Sequence, residues 1–172
     1  MAVIRAVIFD WGGTLMDVLP DMWGPMADWP RVEVGPGAVE ALTALHGRYV
    51  IAVASNATES DAVTVRRALA RGGIDSLVDH VFTAHDLRVA KPHPTFFHTI
   101  LEQIGVEAAS CVMVGDDYVS DVAGAKRVGM GTVWLDAAAA SRPGRPPEAD
   151  AVIGSLADLP AVIARFDSSV AS

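Results

Sequence analysis

The chain has 172 residues, 51% of them hydrophobic, a formal net charge of −8 and a mean hydropathy of +0.33. That length fits one domain, residues 1–172, able to bury a core without disulfide or metal staples, and no uncharged apolar run approaches the roughly 18 residues of a membrane span. Lysine occurs only as Lys91 and Lys126 and the arginines are scattered, which argues against a broad basic surface for nucleic acid.

Strand-like runs alternate with amphipathic stretches along the chain. "VIRAVIF" (3–9) predicts the first strand; Arg5 and Asp10 interrupt this apolar start, so no signal peptide is expected and the protein is assigned to the cytoplasm. Residues 16–34 break the alternation: Pro20, Pro25 and Pro30 stand among Met22, Trp23, Met26 and Trp29, which reads as an irregular, lid-like loop with an apolar face. Two readings of it stay open, an aromatic plug at the edge of the core and a lid or docking patch beside a site. Helix 36–46 follows, then strand "YVIAVAS" (49–55), helix 59–71, short strand "HVFTA" (80–84), helix 94–104, strand "CVMVG" (111–115), helix 119–128, strand "GTVWL" (131–135), the weaker "AVIG" (151–154) and helix 156–166. Residues 136–150 read as a surface connection. This order predicts an α/β fold, a doubly wound parallel sheet with helices on both faces, whose ligand sits at the carboxyl ends of the strands.

Polar residues stand at those ends: Asp10, Ser55, and the pair Asp116 and Asp117, with Lys91 in a loop before a helix. Singly, Asp10 reads as a turn cap, Ser55 as a helix N-cap and "GDD" as a turn; jointly they point to a site. Cys111, in "CVMVGD", reads as a buried inert thiol. His80, His85, His93 and His98 lack the i, i+4 spacing and cysteine neighbours of a zinc site.

"FDWGGTL" (9–15), "VASNA" (53–57), "AKPHPTFF" (90–97) and "VMVGDDYVSDVAGAKRVGM" (112–130) resemble, in order, the four motifs of the haloacid dehalogenase-like hydrolase superfamily, over residues 3–135. The resemblance implies a Rossmann-like core and an Asp10 nucleophile that forms an aspartyl-phosphate. It implies Mg²⁺ held by Asp10, the Gly12 carbonyl and Asp116, with Asp117 or Asp121 in support. Lys91 then neutralises transferring oxygens, Ser55 and the amides of Asn56 and Ala57 bind the phosphoryl group, and Thr14 fixes the loop. Phosphatases of the family usually carry a second Asp two residues after the nucleophile, where this chain has Gly12. Its loss removes general acid–base catalysis of about 10²- to 10⁴-fold, about 3 to 5 kcal/mol of barrier.

The leading reading is a Mg²⁺-dependent phosphohydrolase that favours leaving groups needing no proton, such as aryl or acyl phosphates, or that borrows an acid such as Asp17 or Asp21. Dehalogenase-like or phosphonatase-like chemistry, and a catalytically weak scaffold, are the alternatives. Residues 16–34 are too short for a cap domain, so an open site is expected, for a phosphate on a larger molecule or closed by a second subunit through the Trp-rich loop.

Overall fold

The computed structural model describes residues 2–138 and 148–168. Six strands, β1 (Ala6–Phe9), β2 (Val50–Ser55), β3 (His80–Thr83), β4 (Cys111–Gly115), β5 (Gly131–Leu135) and β6 (Ala151–Ile153), form one sheet in the order β3-β2-β1-β4-β5-β6. Every pairing is parallel. The helices are α1 (Ala38–Leu45), α2 (Ala62–Arg71), α3 (Ala84–Leu87), α4 (Pro94–Ile104), α5 (Gly124–Arg127) and α6 (Leu159–Ser168). The strands anticipated from apolar runs are all present, with β1, β2, β3 and β6 each shorter than anticipated. The one-turn helix α3 was not anticipated, and most of the 136–150 connection lies outside the described residues.

Strand alternation sorts the core into two layers. Val7, Phe9, Ile51, Val53, Val112 and Val114 face one side, packed with Leu42 and Leu45 of α1, Val65 and Leu69 of α2, and Val162 and Ile163 of α6. Ala6, Ile8, Ala52, Ala54 and Met113 face the other, against Phe96, Phe97 and Ile100 of α4 and Ala125 of α5. Strands covered on both faces need apolar residues at every position, which is why they read as continuous runs.

The chain runs outward from β1 through β2 to β3, then returns to the opposite side of β1 for β4. Loops leaving β1 and β4 therefore diverge and open a crevice between them, the position at which doubly wound sheets bind ligands. Phe9 is in register with both Val53 and Val114, so the residues that follow each of these strands emerge close to one level.

Candidate active site

Asp10 leaves β1 with its backbone N–H donating to the Val114 carbonyl (2.8 Å), and the chain then doubles back in a turn closed by Met16 N–H to the Trp11 carbonyl (2.9 Å). The turn returns Thr14 to the site. Its hydroxyl donates to Asp116 Oδ1 at 2.9 Å and lies 3.4 Å from Asp10 Oδ2. Gly13 makes the turn possible: its φ is +86°, and a Cβ there would sit 2.6 Å from Asp116 Oδ2. Only glycine meets both conditions without strain.

Lys91 comes from the loop before α4, with a side chain 1% exposed. Its ammonium donates to Asp10 Oδ1 (2.6 Å), Asp121 Oδ1 (2.7 Å) and the Ala54 carbonyl (2.6 Å), which uses all three of its protons. Asn56 holds the lysine's backbone from both sides, accepting from Lys91 N–H at 2.8 Å and donating to the Lys91 carbonyl at 3.0 Å. The Ala57 amide donates to Ser55 Oγ at 3.0 Å. The Asn56 side chain and the Ala57 amide are thus engaged within the protein, and from this loop the Ser55 hydroxyl hydrogen faces no acceptor among the described residues.

Asp121 lies in a six-residue π-turn, Tyr118–Ala123, which runs into α5. Sequence periodicity predicts a plain helix over 119–128; the wider coil, a feature frequent at functional sites, accompanies an inward-facing Asp121 whose Oδ2 also accepts from the Asp117 amide at 3.1 Å. Gly115 lets this carboxylate approach, since a Cβ there would overlap Asp121 Oδ2. Burial works against the charge on Lys91, but Asp10 and Asp121 outweigh it and hold its pKa above the ordinary lysine value. Burial pushes Asp121 up to about 7 despite the lysine beside it, with the negative charge of Asp10 adding to the rise. Burial also raises Asp116, opposed by the Thr14 hydrogen bond and assisted by Asp10. Two buried carboxylates, Asp10 and Asp121, share one ammonium, and Asp116 stands beside them with only the Thr14 hydroxyl donating to it.

Oxygens of Asp10, Asp116 and Asp121 lie within 4.8 Å of one another. A converging set of hard oxygen donors with uncompensated charge is what a small divalent cation such as Mg²⁺ takes, so these residues fit the metal that the motif resemblance implies. Gly12 lines the same cleft. Asp117 lines it too, but its carboxylate caps the π-turn through Ser120 N–H (2.8 Å) and stands outside the three-carboxylate cluster.

The cleft has a volume of about 510 Å³, and Val18, Pro25, Met26 and Trp29 of the 16–34 segment form one wall. That segment is a fixed strap. Arg71 of α2 donates to the carbonyls of Ala27 (2.9 Å), Trp29 (2.6 Å) and Pro30 (3.2 Å), and the Trp29 indole donates to the Trp23 and Gly24 carbonyls, each at 3.0 Å. Met26 and Trp29 are buried, whereas Trp23 is 87% exposed. Met26 and Trp29 thus plug the core edge, as one sequence reading expected, and the same two residues line the cleft.

A family model for haloacid dehalogenase-like hydrolase matches residues 24–129, more than half of the chain. The chain belongs to the haloacid dehalogenase-like hydrolases. That match contains Ser55, Lys91, Asp116 and Asp121 and begins after Asp10, whose membership of the site rests on the contacts above. Glyceraldehyde 3-phosphate phosphatase of Pyrococcus abyssi is 40% identical over 78 residues, 45% of this chain and 33% of that protein. Ribulose-1,5-bisphosphate 5-phosphatase of Halopiger xanaduensis is 35% identical over 133 residues, 72% of this chain and 54% of that protein. The chain thus spans from a third to about half the length of these curated relatives. An uncharacterized protein from Listeria monocytogenes serotype 4b shares the fold with a TM-score of 0.82 at 27% identity, over 96% of this chain and 99% of that one.

This haloacid dehalogenase-like site differs from the sequence-based expectation on its outer side. Asp17 and Asp21 do not line the cleft; Asp17 faces a separate pocket beside Thr14 and Asp136. A Cβ on Gly12 would lie 3.1 Å from Val18 Cγ2, so an apolar side chain stands where a second acid would begin. Glu59, in the loop after β2, lines the cleft without belonging to any of the four motifs. Its one sequence signal is its place four residues beyond Ser55.

Proposed function

We propose that the chain is a Mg²⁺-dependent phosphohydrolase in which the Asp10 carboxylate attacks phosphorus and forms an aspartyl-phosphate that water then hydrolyses. The observation that carries this reading is the buried Lys91 ammonium held between Asp10 and Asp121, with Asp116 facing them across the Thr14 hydroxyl. Lys91 orients the nucleophile and presents positive charge to the transferring oxygens; the Ser55 hydroxyl donates to the phosphoryl group; Thr14 fixes the spacing of Asp10 and Asp116. Asp10 and Asp116 would hold the metal, with Asp121 in support, and the bound ion would neutralise repulsion between a phosphate dianion and the carboxylates. Phosphatase names among the relatives support the reading, as does a site too dense in carboxylates for a metal-free dehalogenase.

The proposal assigns the protein to the cytoplasm and to phosphorylated substrates that reach the site past a strap rather than beneath a cap domain. A second copy docking on Trp23 would extend that wall, and sedimentation of the native chain beside Trp23→Ser tests it. The decisive experiment is release of phosphate from p-nitrophenyl phosphate with and without Mg²⁺. Metal-dependent turnover that disappears in Asp10→Asn supports the reading, and metal-independent halide release from a haloacid in its place overturns it.

A further inference from the structure

We propose that the leaving side of the cleft is built for a phosphorylated amine, a phosphoramidate, and that Glu59 selects it. This rests on the reading that Asp10 attacks phosphorus, and it names the class of group that departs. Three features of the cleft converge on it.

The first is that the leaving side carries no acid in the usual place. Gly12 has no side chain, Val18 fills the space above it, and neither Asp17 nor Asp21 lines the cleft. An alkoxide leaving without a proton is a poor leaving group, so the departing atom must carry its own proton or be a weak base.

The second is charge. Asp10, Glu59, Asp116, Asp117 and Asp121 line the cleft, and among the described residues Lys91 is its only lysine, arginine or histidine. Carboxylates thus outnumber basic groups on the surface of the cleft. A carboxylate released from an acyl phosphate, or a phenolate from an aryl phosphate, departs into that field as an anion and is disfavoured by it. An amine is the opposite case. It leaves neutral, becomes an ammonium, and is held by the same field.

The third is Glu59 itself. Among the described residues it has no hydrogen-bond or ion-pair partner, and it is exposed, while Asp10, Asp116 and Asp121 are bound into the cluster and Asp117 into its cap. It is the carboxylate of the cleft left over for a ligand. The strap supplies apolar surface from Val18, Pro25, Met26 and Trp29 in the same cleft, suited to the carbon chain of an alkylamine.

The chemistry balances without an enzyme acid. The phosphoramidate nitrogen takes a proton from solvent; an Asp10 oxygen bonds to phosphorus as the P–N bond breaks, and the electron pair stays on nitrogen, which leaves as a neutral amine. The amine then takes a second proton from water. In the next step a water oxygen attacks phosphorus, the bond from phosphorus to the Asp10 oxygen breaks with its electron pair left on the carboxylate, and both protons of the water leave with the phosphate as H₂PO₄⁻.

The test uses a matched pair, N-phosphobutylamine and butyl phosphate, which differ in one bridging atom, with acetyl phosphate as the anionic leaving group. Phosphate release is followed with Mg²⁺ at mildly alkaline pH for the native chain, Glu59→Gln and Glu59→Asp, each corrected for spontaneous hydrolysis and checked by circular dichroism. The expected result is a kcat/KM for the phosphoramidate at least about tenfold above both other substrates. Glu59→Gln shrinks that preference by about tenfold, mainly through KM, and Glu59→Asp keeps part of it. Equal or better turnover of acetyl phosphate, or a preference unmoved by Glu59→Gln, overturns the proposal while leaving a phosphohydrolase. Silence on all three substrates and on p-nitrophenyl phosphate overturns both.

Discussion

At the scale of single residues the site is governed by one ammonium shared among carboxylates. Removing it leaves buried acids uncompensated, so Lys91→Met is expected to cost about 3 to 5 kcal/mol of folding stability, read as a fall in denaturant midpoint at constant slope, besides losing turnover. Asp10→Asn keeps the hydrogen-bonding shape and removes the proposed nucleophile; phosphate release should fall to background while the thermal midpoint stays near or above that of the native chain. Gly12→Asp tests the missing acid. Gly12 has no positive φ, and the obstructing Val18 is an exposed side chain able to give way, so the variant should fold and raise butyl phosphate turnover by about tenfold or more, toward the range of general acid catalysis. Gly115→Ala differs, because its Cβ would meet the Asp121 carboxylate that Lys91 fixes; loss of stability and of Mg²⁺ binding by calorimetry are expected together.

At the scale of elements, the strap behaves as a wall because α2 holds it. Arg71 reaches three carbonyls with one planar guanidinium, a geometry an ammonium cannot reproduce. Arg71→Ala and Arg71→Lys are both expected to speed hydrogen exchange across residues 24–31 and to raise KM several-fold, with kcat less affected. An Arg71→Lys variant indistinguishable from the native chain would show that the strap is held by its apolar contacts alone. The π-turn at Tyr118–Ala123 has a related role: Asp117 caps it, and the coil places Asp121 rather than Asp117 against Lys91.

At the scale of the whole molecule, the two-layer core shelters Cys111, fully buried in β4. Burial pushes its thiol from the ordinary 9 up to about 12. The folded chain therefore holds this proton more tightly than the unfolded chain, and the contribution to stability is lost as pH rises from 9 toward about 12. Near neutral pH the thiol should resist iodoacetamide until the core opens, which makes its alkylation rate a measure of global unfolding.

The sequence by itself determined the parallel sheet, because strands buried on both faces must be apolar throughout, and that pattern survives without knowledge of neighbours. It also marked Asp10, Ser55, Asp116 and Asp117 at strand ends, with Lys91 before a helix and Asp121 within the last motif, as candidates for one site. What it could not decide was which side chains face one another. Asn56 clamps the Lys91 backbone from 35 residues away, Asp117 turns to a cap, Asp17 and Asp21 fall outside the cleft, and Glu59 falls inside it. Those outcomes depend on the angle at which loops leave the sheet and on long-range contacts such as Arg71 with the strap, and neither leaves a local periodicity to read.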